Sequence, residues 1–187
     1  MKWIVLAMAI FIIPYTYLTL RYRKPESFQP YEDARERAHI AKAGYSRISL
    51  SASQPADGRT VDRFGIAPAA GGIPSDLAAS LIDRPVLPEA VGAVAAAPTC
   101  RDGANYPIRF DCTPPPGQLE LSGAHLYQKG QNLFILVGFA PVADGLVQRH
   151  PADSVQIEVP SAELVPGTYQ VTLVGARASK TWAVQVH

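Results

Sequence analysis

The first apolar run limits what this chain can become more than any other stretch. Residues 3–20 read WIVLAMAIFIIPYTYLTL, 18 residues without a charge, with Lys2 before them and Arg21, Arg23 and Lys24 directly after. At 1.5 Å rise per residue a helix of that length measures about 27 Å, close to the ~30 Å hydrocarbon core of a bilayer. A cleaved signal peptide needs small residues before the cut, and this run ends in Tyr17-Leu-Thr-Leu-Arg-Tyr-Arg-Lys24. A soluble core helix keeps a polar stripe, which is missing here. The run therefore predicts one transmembrane helix, kinked near Pro14, whose ring removes a backbone hydrogen bond. Trp3, Tyr15, Tyr17 and Tyr22 fit interfacial belts, and Tyr15 and Tyr17 are candidate contacts to a partner's helices.

Four segments follow from the patterning. Residues 1–24 form the anchor. Residues 25–50 carry a juxtamembrane helix over 31–43, with Pro30 at its start, Glu32 and Asp33 in the first turn and Gly44 as its stop. On it Tyr31, Ala34, Ala38 and Ala41 fall on one face, a narrow small-residue stripe that either meets a close-packed partner or only favours helicity in water. Residues 51–103 are an extended segment, since 22 of the 46 residues 53–98 are Ala, Pro or Gly. Short helices are expected there over 75–82, capped by Ser75, and over 88–97, opened by Pro88. The segment keeps too many Val, Ile and Leu for a disordered linker, so it is expected to wrap on its own domain or on a partner.

Residues 104–187 read as all-β. Strands are expected over 107–112, 118–122, 133–139, 154–159, 168–174 and 181–187, with alternation clearest in Ser154-Val-Gln-Ile-Glu-Val159 and Tyr169-Gln-Val-Thr-Leu-Val174. Turn signals at 114–117, 129–130, 143–145 and 166–167 separate them. That spacing predicts a β-sandwich. The fold class expected for the whole is thus mainly β: one N-terminal transmembrane helix, an Ala/Pro-rich connecting segment and a C-terminal Ig-like β-sandwich.

Specific residues carry a family resemblance. Pro107-Ile-Arg-Phe-Asp111 and Pro114-Pro-Pro-Gly117-Gln-Leu-Glu-Leu-Ser-Gly123 look like the opening of an IPT/TIG domain, an immunoglobulin-like (E-set) fold. Val137-Gly138 resembles its middle. Ser154-Val-Gln-Ile-Glu-Val-Pro160 and Pro166-Gly167-Thr-Tyr-Gln-Val-Thr-Leu-Val174 resemble its closing half. The match spans 104–187 and departs at Ala124-His125-Leu126. The resemblance implies a module that supports, spaces or binds other proteins and brings no catalytic residues with it. The layout, one span and then an Ig-like domain, is also faintly similar to single-span accessory proteins of respiratory oxidases.

Chemistry-bearing motifs are sparse. Cys100 and Cys112 are the two cysteines; their even count and spacing make a candidate disulfide closing a 13-residue ring worth roughly 3 kcal/mol, the alternative being two reduced small hydrophobic residues. A disulfide requires an oxidising compartment, which sets the C-terminal domain outside the cytoplasm, whereas Arg21, Arg23 and Lys24 behind the run favour the opposite orientation. The location expected is a bacterial inner membrane, with the C-terminal domain extracytoplasmic. His39, His125, His150 and His187 have no metal-ligand spacing, and no nucleophile elbow or phosphate loop is present. A net charge of +1 gives no field to attract nucleic acid.

The sequence thus predicts a non-enzyme without cofactor, metal or small-molecule substrate. Its expected partners are the bilayer and integral membrane proteins. Its expected role is an accessory or structural subunit that stabilises a larger membrane complex, such as a bioenergetic one. The alternative is a cell-envelope module that presents an Ig-like domain on a stalk to a glycan or protein ligand.

Overall fold

Alternation governs most of the chain. In Ser154–Pro160 the side chains of Val155, Ile157 and Val159 are buried while their neighbours are half-buried; a strand puts successive side chains on opposite faces, so such a segment lays one face on a core. The computed structural model describes Ile12 and residues 31–54, 65–101, 103–117, 119–142 and 154–187. The chain divides into two units, Met1–Arg35 and Glu36–His187. Every described strand belongs to the second.

The helices are α1 (Tyr31–Lys42) and α2 (Ser75–Ser80). The strands are β1 (Ser46–Ser53), β2 (Ala67–Ala70), β3 (Ala90–Ala96), β4 (Thr99–Cys100), β5 (Asn105–Thr113), β6 (Leu119–Lys129), β7 (Asn132–Pro141), β8 (Ser154–Pro160), β9 (Gly167–Val174) and β10 (Ala178–Val186). They pair in the order β10–β3–β5–β8–β1–β6–β7–β9, and β9 pairs again with β10, closing an eight-stranded barrel. β2 and β4 add to β10. The pairings are antiparallel except β7 with β9 and β10 with β3 and β4. Closure leaves the ring strands no open edge to template association. One apolar core fills the inside, built from Ile48 and Leu50 on β1, Ile108 and Phe110 on β5, Leu126 on β6, Ile157 on β8, Leu173 on β9 and Trp182 on β10, among others.

The seam of the barrel lies between β10 and the β3–β4 stretch. Ladder pairs there sit at the two ends, Ala178 with Ala90, and Gln185 and Val186 with Thr99 and Cys100. A buried side-chain relay lies beside them. The indole N–H of Trp182 donates to the Tyr106 hydroxyl at 3.2 Å, and that hydroxyl donates to the carbonyl of Ala97, between β3 and β4. At the start of β9, the Pro166-Gly167 turn brings the chain round so that the Tyr169 hydroxyl donates to the Val165 carbonyl at 2.7 Å.

A second, smaller core lies on the outer face of the barrel. Ile40 of α1 and Leu77 and Leu81 in and after α2 cluster with Tyr45, Tyr127, Leu136 and Val174. The end of α1 shows why the chain turns there: the Tyr45 N–H donates to the Ile40 carbonyl and the Gly44 N–H to the Ala41 carbonyl, both at 3.0 Å. This is the double bond of a Schellman motif, and Gly44 takes the positive φ of 81° that it demands.

The expected fold class is corrected on two counts. Among the described residues no helix is long and apolar enough to cross a membrane: α1, with 12 residues of sequence YEDARERAHIAK, is about 18 Å long and heavily charged. Residues 3–20, where the span was expected, lie outside the described residues apart from Ile12. The separate Ig-like sandwich over 104–187 is replaced by a barrel that draws on residues 46–53 and 90–96 as well. β1 inserts between β8 and β6, and β3 borders β5. The physical reason is that β5 and β6 each bury an apolar row that needs a hydrogen-bonded neighbour, and the earlier segments supply it.

Candidate functional site

Apolar side chains fill the part of the barrel interior formed by the described residues. The one interior void described is about 10 Å³, lined by Cys100, Tyr106, Ile108, Leu126, Val184 and neighbouring apolar side chains. That is about the volume at which a single water begins to fit, and far below the several hundred Å³ of a small-molecule site.

Polar side chains concentrate where the helices meet the barrel. Tyr45 follows α1, Asp76 stands in the first turn of α2 and Lys129 ends β6. The Tyr45 hydroxyl donates to Asp76 Oδ2 at 2.9 Å, Lys129 Nζ meets the same oxygen at 2.6 Å and also lies 4.8 Å from the centre of the Tyr45 ring, and the Leu77 N–H donates to Asp76 Oδ1 at 3.0 Å. The hydrogen bond from Lys129, aided by that from Tyr45, holds the Asp76 carboxyl down to about 2. Burial, then the hydrogen bond to Asp76 and its negative charge, push the Tyr45 phenol up to about 12. A general acid or base works best with a pKa near the operating pH. Both groups are driven away from neutrality, so this cluster is a clamp rather than a proton-transfer device. Beside it runs an open cleft of about 290 Å³ lined by His39, Lys42, Ala43, Asp76, Ala79 and Ser80.

A second network ties α1 to the sheet. Arg47 of β1 donates through Nη1 to Glu36 Oε2 at 2.8 Å, with both side chains largely sheltered. Its Nη2 lies 3.1 Å from His125 Nε2 on β6, and the His125 ring stands edge-on to Tyr127. Among the described residues no group of three or more His, Cys, Asp or Glu side chains is placed to hold a metal ion.

The residues singled out from sequence fall as follows. Tyr15 and Tyr17 lie outside the described residues, as does the side chain of Tyr31. Ala34, Ala38 and Ala41 are exposed on α1, while Ile40, not part of that stripe, is the residue of α1 that sinks into the outer core. The expected disulfide is corrected: Cys100 and Cys112 are both buried and not bridged. In the β3–β5 register Val91 faces Cys112 and Ala96 faces Ile108, and Cys100 lies four residues further on, against Val186. At about 3.3 Å per residue the two cysteines stand roughly 20 Å or more apart, against the ~7 Å between Cα atoms that a disulfide tolerates. The 11 residues between them include most of an extended strand, not a loop. The pairings of Arg47 with His125 and of Asp76 with Tyr45 and Lys129 escaped the sequence reading because partners 31 to 78 residues apart leave no spacing signature.

Compared with known protein families, curated proteins and solved structures, the chain shows no match to any. The IPT/TIG-like pattern of residues 104–187 therefore rests on its motif residues alone.

Proposed function

We propose that this chain is a non-catalytic accessory protein that binds and stabilises a larger protein assembly through the outside of its barrel. The observation that carries the reading is the packed core: the interior void lined by described residues is about 10 Å³, far below a small-molecule site, which favours work at the surface. The polar clusters favour the same reading, since Tyr45 and Asp76 are tuned away from neutral pH and hold α2 to the barrel. The exposed Ala38 and Ala41 on α1 leave a low surface that another protein can approach closely.

The test is purification of the full chain through a C-terminal tag under mild conditions, followed by native mass measurement. The reading expects a stoichiometric complex with a larger protein, lost when Ala38→Glu and Ala41→Glu are combined while the thermal melt is unchanged. A monodisperse 20.1 kDa species from the native source would contradict it.

A further inference from the structure

The cleft lined by the end of α1 and by α2 holds an acid that is satisfied and two bases that are not. Both oxygens of Asp76 are engaged: Oδ2 accepts from Tyr45 and Lys129, and Oδ1 accepts from the Leu77 N–H. Lys129, at 2.6 Å, also balances its charge. His39 and Lys42 line the same cleft and are exposed, and neither side chain has a partner among the described residues. Three apart on a helix, they are surface neighbours. We propose that this cleft is a binding site for the phosphate group of a small molecule, held by Lys42 and His39.

Charge and donors both select that class. With Asp76 and Lys129 cancelling, the ammonium of Lys42 leaves the cleft with a net positive charge. An ammonium has three donors and no acceptor, and a neutral imidazole places a donor on either ring nitrogen according to its tautomer. A phosphate group, with its charge and three acceptor oxygens, can meet both side chains at once. The negative end of α1 is muted: the carbonyls of His39, Ile40 and Ala41 accept from the N–H groups of Ala43, Tyr45 and Gly44, each at 3.0 Å. A metal cation is the rival occupant, and it would find both oxygens of Asp76 taken. At about 290 Å³ the cleft lies at the small end of ligand sites, and the short side chains of Ala43 and Ala79 leave space beside the donors. The inference does not depend on the accessory role proposed above.

Titration of the isotopically labelled full chain with inorganic phosphate, at constant ionic strength set with chloride, tests the site. Amide shifts of residues 39–43 and 76–80 and the imidazole shifts of His39 should move together and saturate. Lys42→Gln should weaken the fitted affinity by about tenfold, the worth of one hydrogen bond to a charged group. His39→Gln, which keeps a neutral donor, should weaken it less. Both side chains are exposed and unpartnered among the described residues, so neither variant should move the thermal melt. Shifts that rise linearly with phosphate, an affinity unchanged in Lys42→Gln, or a saturable response of the same residues to Mg²⁺ in place of phosphate would overturn the assignment.

Discussion

Removing one oxygen atom from the barrel seam should cost more than its size suggests. Tyr106 is 4% exposed, and its hydroxyl joins Trp182 on β10 to the carbonyl of Ala97 between β3 and β4. Tyr106→Phe conserves the ring and opens no cavity, so the loss is confined to hydrogen bonding. The Trp182 N–H, on a side chain 4% exposed, loses its acceptor, and a buried polar group left without one costs about 1–3 kcal/mol. Ala97 is only half-buried, so water can replace part of what its carbonyl loses. The expected total is about 2 kcal/mol. For a chain of this size that corresponds to a fall in Tm of roughly 4–8 °C. Urea unfolding followed by near-ultraviolet circular dichroism is the assay: the midpoint should drop with the slope unchanged, because the surface exposed on unfolding is the same. Tyr169→Phe, which breaks one partly buried bond to Val165, should cost about half as much. A Tyr106→Phe midpoint within ~0.5 kcal/mol of the parent would refute the assignment of this relay to the seam.

Three further outcomes follow from the clamp and the edge strand. Asp76 titrates near 2 in the folded protein against an ordinary value of 3.8, so its contribution is complete above about pH 4 and is lost as pH falls through 2; urea midpoints of the parent and Asp76→Asn should converge there. The gap at neutral pH should stay under about 1 kcal/mol, since Asp76 and Lys129 are each about half exposed and solvent screens the pair. Tyr45 is raised to about 12, so the protonated phenol favours the fold up to pH 10 and that contribution fades as pH rises through 12; an ultraviolet tyrosinate titration should show a late-ionising phase missing from Tyr45→Phe. A Cβ at Gly71 would overlap the backbone of Arg177, so Gly71→Ala should cost about 1–3 kcal/mol through overpacking and selectively strip exchange protection from β2 and the facing residues 178–181.

Much of the sheet is visible in the residues. The six stretches expected as strands beyond residue 104 overlap β5 to β10, most closely at β8, where alternation is strict, while 118–122 covers only the first part of β6 (Leu119–Lys129) and 181–187 misses the start of β10 (Ala178–Val186). The helix over 31–43 is there as α1, and 75–82 contains α2, though its cap is Pro74 without a side-chain bond rather than Ser75. The barrel is not visible, because closure depends on β1 and β3. In Ser46–Ser53 the buried residues Ile48 and Leu50 alternate with exposed serines, a strand signal hidden by the change of composition after residue 50. Residues 88–97, expected as a helix, hold β3: Ala and Gly suit a helix by propensity, but pairing with β5 decides the matter, since strand preference is set by neighbours. The Tyr45–Asp76–Lys129 clamp and the Arg47–His125 contact join residues far apart in sequence, and the folded sheet brings them together.

The central structural claim is that the segment before residue 104 belongs to the same closed sheet as the strands after it. Interstrand nuclear Overhauser contacts in the isotopically labelled full chain test it directly. The account predicts backbone contacts between Ala52 and Ile157, between Ile48 and Leu126 and between Gln185 and Thr99. A spectrum in which β8 and β6 show no contact to β1, and β10 none to the β3–β4 stretch, would contradict the barrel.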